Sequence, residues 1–424
     1  MPPRRILLVA QITPPSPLSG ARRIAGLTRH LARLGHEVTV LTSVVSGSGP
    51  VPGAARTIRA RDLMVSPLNW RRGNFAAIQG GSEAAYDARP SALASIAVPD
   101  LEVVGWLPFA LPAALRVART QKIDCVVTSS PPRSGHLIGL ALQARGLPWV
   151  ADLRDGWTFD VPDRPRYPLR AQRALDRALE RVVARRADAM TAVTDPIAED
   201  LRERLGGRAT TITNGFDPLE EVGDDGSSLL RPDRVSLVYT GSLAYADLQP
   251  DNLLAGVHQL LRRQPEVAES LEIVFAGALG AGERAAIEDP ALCGVTRAVG
   301  FLARSETLAL QRAADALLVI TSDRRPSSAT GKIYEYLAAQ RPILVLSERS
   351  VAARIVRETR AGLVAPDDDP SAIAAALDAV VAGRLPAPTT ETAAPFSYGQ
   401  LAEELSSVLT EAISWRSARD SLIG

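Results

Sequence analysis

The sequence predicts an α/β protein of two Rossmann-like, doubly wound domains. Three observations carry that expectation. At 424 residues the chain exceeds what a single hydrophobic core usually supports. Short apolar runs of strand length alternate with amphipathic helical stretches almost from end to end. The runs are apolar at successive positions, so both strand faces are covered, as in parallel sheets built from βαβ units. Two such series in succession read as two doubly wound domains.

In the first half the strand candidates are Arg5–Ala10, Glu37–Thr42, Asp124–Ser129, Trp149–Leu153, Ala189–Val193 and Thr210–Thr213. In the second they are Ser236–Thr240, Glu272–Ala276, Ala316–Thr321, Ile343–Ser347 and Gly362–Val364. Between them lie periodic segments such as Ile24–Leu34, with Ile24, Leu27, Leu31 and Leu34 on one face. The boundary is expected at Asn214-Gly215-Phe216-Asp217-Pro218, because the following Glu220–Ser228 stretch is polar and linker-like. This gives a first domain at 1–218, a second at 219–395 and a tail at 396–424. In the tail, Leu401, Leu405, Val408 and Leu409 have helical spacing ahead of Trp415. An irregular stretch from Val45 to Pro99, with Trp70, Arg71 and Arg72, interrupts the first domain; loops this long are usually functional or mobile.

A hydrophobic share of 46% and a charged share of 22% are ordinary for a folded globular chain. Net charge is +1, divided as about +6 over the first 225 residues and about −5 over the rest. A basic first half suits an anionic acceptor or a membrane surface, and equally an ordinary fluctuation between solvated faces. Nucleic-acid binding finds no basic stripe with interleaved aromatics. Cys125 and Cys293 sit in apolar patterns and read as buried thiols of a reducing cytoplasm. The Ile6–Ala10 run is too short for a signal-peptide core, and no apolar run reaches spanning length. The expected location is cytoplasmic, with peripheral membrane contact open. Lysine occurs only at Lys122 and Lys332.

Chemistry-bearing residues cluster where strands end. The loop Gln11–Arg23 joins the first strand to the first helix; Gly20 there lets backbone N–H groups approach a phosphate, with Arg23 nearby. Its glycines, Gly20 and Gly26, do not form the GxGxxG fingerprint, which weakens a dinucleotide reading. After the strand ending at Ser129, His136 opens a helix and reads either as a hydrogen bonder or as a catalyst. Asp152, Arg154 and Asp155 stand at the end of an apolar strand. Carboxylates there can take an acceptor proton or hold sugar hydroxyls, or simply close the strand with an ion pair. In the second half, Gly241 and Ser242 form a small-residue turn open to a diphosphate. The most informative segment is Ser327–Leu344, where Thr330 is a plausible N-cap and Gly331 leaves the helix start open. A diphosphate at that N-terminus gains from backbone N–H groups and Lys332, while Glu335 one turn on suits ribose hydroxyls.

Together these segments resemble the family 4 glycosyltransferases of GT-B fold, over nearly the full length. The resemblance is carried by the small-residue first loop, Gly35–Thr42, Ser129-Ser130-Pro131-Pro132, Asp152-Leu153-Arg154-Asp155, Ile212–Asp217 and the Gly331-Lys332…Glu335-Tyr336-Leu337-Ala338 helix. It implies two domains facing a cleft, with a C-terminal helix crossing back to the first. It further implies a nucleotide-diphosphate sugar held mainly by the second domain and an acceptor held by the first. Transfer would retain anomeric configuration and need no metal or other cofactor. Glu335 matches the family's ribose-binding glutamate, and Lys332 stands where donor-phosphate contacts are expected.

Two departures stand out. Ser327 occupies the position of a second family glutamate, eight residues before Glu335. After Ser242, Tyr245, Asp247 and Gln249 replace the usual basic clamp, leaving charge neutralisation to Lys332, Arg324, Arg325 or the N-terminal arginines. The leading expectation is a hexosyl-type transferase acting on a hydroxyl of a natural product, glycan or lipid-linked acceptor, with Asp155 or Asp152 orienting that hydroxyl. A nucleotide-sugar epimerase on the same fold and a non-catalytic binding subunit are the alternatives. Asp367-Asp368-Asp369 reads as a surface turn before a helix rather than a metal motif.

Overall fold

A computed structural model describes residues 2–16, 18–63, 96–159, 167–223, 225–243, 250–321, 323, 327 and 330–423. They fall into two compact units. One holds 2–63, 96–217 and 397–423, the other 218–396.

Among the described residues, the first unit has a seven-stranded sheet ordered β3-β2-β1-β4-β5-β6-β7, parallel throughout. Its strands are β1 (Arg5–Val9), β2 (Glu37–Ser43), β3 (Arg56–Ala60), β4 (Cys125–Ser130), β5 (Trp149–Leu153), β6 (Ala189–Ala192) and β7 (Ala209–Thr211). The longer helices are α1 (Ser19–Arg33), α2 (Leu107–Thr120), α3 (Gly135–Gln143), α4 (Arg170–Arg186) and α5 (Asp195–Glu203). The second unit repeats the plan with six strands ordered β10-β9-β8-β11-β12-β13. These are β8 (Val235–Thr240), β9 (Leu271–Ala276), β10 (Thr296–Gly300), β11 (Ala316–Ile320), β12 (Ile343–Leu346) and β13 (Gly362–Ala365). Its longer helices are α6 (Asp251–Arg263), α7 (Ala281–Ile287), α8 (Arg304–Ala313), α9 (Lys332–Ala339), α10 (Val351–Thr359) and α11 (Pro370–Val381). Strand order reverses between β1 and β4, and again between β8 and β11. Doubly wound sheets bind ligands outside the carboxyl ends of the strands at such points.

The pleat of β1 shows why the first unit needs the C-terminal segment. Leu7 and Val9 face Trp106, Ile138 and Trp149, whereas Ile6 and Leu8 face Ile24, Leu27 and Leu31 of α1. That second layer is completed by Leu401, Leu405 and Leu409 of α12 (Tyr398–Ile423), so the tail helix is core. His36 fixes it further, its Nε2 lying 2.8 Å from Ser406 Oγ, and Tyr398 N–H donates to the Phe216 carbonyl at 2.8 Å. Gly26 is where α1 meets α12: a Cβ there would lie 2.1 Å from Tyr398 Cδ2. Gly26→Ala is therefore expected to lower the melting temperature, although alanine gains about 1 kcal/mol of helix propensity. A raised melting temperature would show that Tyr398 yields.

Three expectations need correction. The edge strands β3 (RTIRA) and β10 (TRAVG) were not among the strand candidates, because a half-buried edge carries polar residues and loses the apolar run. Cys125 is buried in β4, but Cys293 is exposed, in a left-handed turn with Gly294. Leu34 sits at the C-cap of α1 and is exposed, off the face shared by Ile24, Leu27 and Leu31. Asp369 caps α11, accepting from the Ser371 and Ala372 N–H groups, as a surface turn should. Trp70, Arg71 and Arg72 lie outside the described residues. Among the described residues, no helix is long and apolar enough to cross a membrane.

Candidate active site

In the second unit, three neighbouring strands end on glycine. Gly241 (φ +122°), Gly277 (φ +151°) and Gly300 (φ +79°) stand at the carboxyl ends of β8, β9 and β10. Gly241 N–H donates to the Ala276 carbonyl at 2.7 Å, and Gly277 N–H to that of Gly300 at 2.8 Å. A Cβ on Gly277 would lie 2.2 Å from the Gly241 oxygen, so only glycine fits. The result is a ledge of bare backbone beside the reversal in strand order.

Lys332 lies over this ledge. A Cβ on Gly241 would come within 2.7 Å of its Nζ. The ammonium donates to Tyr239 Oη at 2.6 Å and stands 3.9 Å from the centre of that ring. Tyr239 Oη in turn donates to the Ser242 carbonyl at 3.0 Å. Burial pushes the Tyr239 phenol well above its ordinary range, so it stays neutral and acts as a rest for the lysine. Ser242 Oγ is buried without a hydrogen-bond partner among the described residues.

The helix carrying Lys332 starts one residue later than expected. Gly331, not Thr330, is the cap, and it carries no side-chain cap; Thr330 contributes only its carbonyl, to Ile333 N–H at 3.3 Å. Among the described residues, a Cβ on Gly331 would meet nothing within 4 Å. The first turn of α9 therefore presents N–H groups without a side-chain cap, a partial positive charge and Lys332, an arrangement suited to an anion.

Glu335 points inward and is only 7% exposed. Its Oε2 lies 2.9 Å from Arg304 Nη1 and accepts from Gln311 Nε2 at 3.4 Å. Arg304 also forks onto Glu220 at 2.8 and 2.9 Å. Desolvation alone would lower this guanidinium, but Glu335 and Glu220 hold it well above its ordinary value. Gln311 continues the network to Thr240 Oγ1 at 2.9 Å, and Tyr336 Oη accepts from Thr240 N–H at 2.9 Å. A ribose at Glu335 must share the carboxylate with Arg304, a partner that local spacing did not reveal. Ser327 is buried. Arg324, Arg325, Tyr245, Asp247 and Gln249 lie outside the described residues.

The first unit rearranges the expected roles. Arg23 is 1% exposed and Asp152 3%. The guanidinium donates to both oxygens of Asp152, at 3.3 and 2.8 Å, and to the carbonyls of Ile212 and Thr213. Ser129 and Thr191 hydroxyls complete the carboxylate's shell at 2.7 and 2.8 Å. Burial would raise this carboxyl, but Arg23 and the hydroxyl donors hold it below its ordinary value. Asp152 and Arg23 thus form a buried ion pair that ties α1 to β5 and leaves neither side chain facing solvent.

His136 is also interior. Its Nδ1 lies 2.7 Å from Thr128 Oγ1, and its ring stacks on Trp157 at 5.9 Å and tilts against Trp149 at 6.3 Å. Burial lowers its pKa to about 4. The ring is fully enclosed, which sets it apart from an open acceptor site. The unfolded chain takes up a proton near pH 6.5 while the native state resists until about 4, so stability falls with pH across that window. Relative to His136→Phe, the wild type is expected to lose about 2 kcal/mol more between pH 7 and pH 5, as read by denaturant unfolding. Equal losses would mean that the ring meets water.

Two residues keep the expected setting. Asp155 follows β5 and is exposed. Gly20, in the first turn of α1, lies under the Arg154 side chain; a Cβ there would be 1.5 Å from Nη1. Arg154 is held by the carbonyls of Ser130 at 3.0 Å and Pro131 at 2.7 Å, which places a cation beside the N-terminus of α1. Residues missed at first are Tyr239, Gly277, Gly300, Arg304, Gln311 and Glu220. A glycine at the end of each successive strand was the available signal for Gly277 and Gly300. Among the described residues, no three His, Cys, Asp or Glu side chains gather as a metal site requires.

Comparison with known proteins agrees with this architecture. Residues 20–215 match the family model for a glycosyl transferase 4-like domain, and residues 234–382 that for glycosyl transferases group 1. No curated protein matches significantly. Among solved structures, sucrose-phosphate synthase from Thermosynechococcus elongatus is similar at 16% identity and a TM-score of 0.65, over 97% of this chain and 99% of that one. α,α-Trehalose 6-phosphate synthase from Burkholderia multivorans is similar at 14% identity and a TM-score of 0.63, over 98% and 99%. A glycosyltransferase from Rickettsia africae is similar at 12% identity and a TM-score of 0.62, over 97% and 99%. At such identities the likeness speaks for the fold.

Proposed function

We propose that this chain, which belongs to the glycosyl transferase 4-like and group 1 families and is a glycosyltransferase of GT-B fold, transfers a hexosyl group from a nucleoside-diphosphate sugar to a hydroxyl acceptor. The observation that carries the donor assignment is Lys332 lying over Gly241 at the open start of α9. There the diphosphate meets an ammonium, the first-turn N–H groups and a glycine ledge that admits close approach. Stabilising the departing diphosphate is the main catalytic task, and these groups supply positive potential without a metal ion. Glu335 holds the ribose hydroxyls, with Arg304 2.9 Å away fixing its aim. Ser242 Oγ, buried and without a partner among the described residues, can donate to a phosphate oxygen.

In the first unit, Asp155 is the carboxylate placed to orient the acceptor hydroxyl, since Asp152 and His136 are interior. Gly20 and Arg154 suit an anionic group beside α1. The reading extends to retention of configuration, a cytoplasmic location and an envelope glycan, lipid-linked or natural-product acceptor.

Calorimetric titration tests the ribose role. Glu335→Ala is expected to weaken nucleoside diphosphate binding by on the order of tenfold or more, while the 2′,3′-dideoxy analogue binds both proteins alike. Unchanged affinity for the ribonucleotide would reduce Glu335 to a structural partner of Arg304.

A further inference from the structure

We propose that the outward face of α4 is a docking surface for an anionic lipid bilayer. The helix sequence RAQRALDRALERVVARR contains both signs of charge, but the fold separates them. Asp176 is buried and accepts the Trp157 indole N–H at 2.9 Å. Glu180 is buried too, accepting from Thr158 N–H at 3.1 Å and from the Arg204 fork at 3.0 and 2.9 Å. Both acids are thus withdrawn from the surface.

What remains outside is basic and apolar. Leu169, Leu175 and Val182 are 61%, 51% and 45% exposed. Leu175 and Val182, with Ala171, Ala174 and Ala178, follow the spacing of one helical stripe. Gln172 ties the Leu169 N–H and the Ile96 carbonyl together, which brings exposed Ile96 to the same end. Arg170, Arg177 and Arg181 run along one flank, with Arg185 and Arg186 at the far end, all exposed. Among the described residues none of these five makes an ion pair or hydrogen bond, whereas Arg173 is held by the Tyr167 and Pro168 carbonyls.

An apolar crest lined by arginines that the described residues leave unpaired has the make-up of a helix lying in a bilayer interface: the crest dips among the headgroups while the guanidinium groups reach the phosphates. A second copy of the chain is disfavoured by charge, because a two-fold pairing of this face sets arginine against arginine. Each arginine near an anionic surface contributes about fivefold in partitioning, and salt screens that attraction. The proposal stands apart from the transfer reaction, since vesicle binding and nucleotide binding are read separately.

Flotation of the full chain with vesicles tests it. The wild type is expected to partition onto phosphatidylcholine vesicles containing phosphatidylglycerol, weakly onto phosphatidylcholine alone, and less at high salt. Arg177→Ala with Arg181→Ala and Arg185→Ala should reduce partitioning on the order of a hundredfold. Leu175→Ser with Val182→Ser should also reduce it, with melting temperatures unchanged in both variants. The proposal is overturned by no partitioning, equal partitioning onto neutral vesicles, wild-type partitioning by either variant, or a dimer in light scattering that the variants dissolve. Capture by polyglutamate without vesicle binding would also overturn it, and would mark an acidic protein as the partner.

Discussion

Arg23→Met is expected to destabilise the first unit by about 3–5 kcal/mol, among the largest effects of any single replacement outside the apolar core. The arginine contacts both oxygens of Asp152 and two backbone carbonyls near the end of the 96–217 segment. Removing it leaves a carboxylate that is 3% exposed without its counterion. The sign with pH follows. In the wild type the Asp152 carboxyl is held below its ordinary value, so its stabilisation is present above the unfolded pKa and is lost as pH falls through the native one. Without Arg23, burial raises the carboxyl instead, and the variant is expected to recover part of its deficit in mild acid. Denaturant unfolding at two pH values reads both effects, and adding Asp152→Leu should restore much of the loss. A cost below 1 kcal/mol would mean that Asp152 reaches water, and would return it to the catalytic candidates.

Lys332→Met is expected to lower donor turnover by about 10²–10³-fold, the range seen when one preorganised electrostatic donor is removed from a developing charge. Stability should change little, since the side chain is partly exposed and, among the described residues, rests on Tyr239 and Gly241. The ammonium is already held by Tyr239 Oη, so its position is set before any ligand arrives. Release of nucleoside diphosphate from the sugar donor measures the effect. Retained turnover would move diphosphate stabilisation to the first unit, where Arg154 stands over Gly20.

The inner strands were legible because a strand covered on both faces is built mostly of apolar residues. Edge strands β3 and β10 were not, since half of each meets solvent. The start of α9 was legible because a glycine followed by a lysine at a helix start is a local pattern. The surroundings of Asp152 were not legible, for the opposite reason. Its partners come from α1, β4 and β6, as far as 129 positions away in sequence, so the same strand-end carboxylate that suggests a base is closed by the fold. His136 is enclosed likewise by two tryptophans of another strand and loop, and Glu335 by an arginine on α8. Periodicity reports which residues are interior; it does not report what meets them there.

The central claim is that the β8–β10 glycine ledge and the start of α9 hold the donor diphosphate. Calorimetric titration of a panel of nucleoside diphosphates, each paired with its nucleoside, into the wild type and Lys332→Met tests it most directly. The account predicts that at least one diphosphate binds the wild type far more tightly than its nucleoside, and that this preference collapses in Lys332→Met. A preference of the same size in both proteins would contradict it.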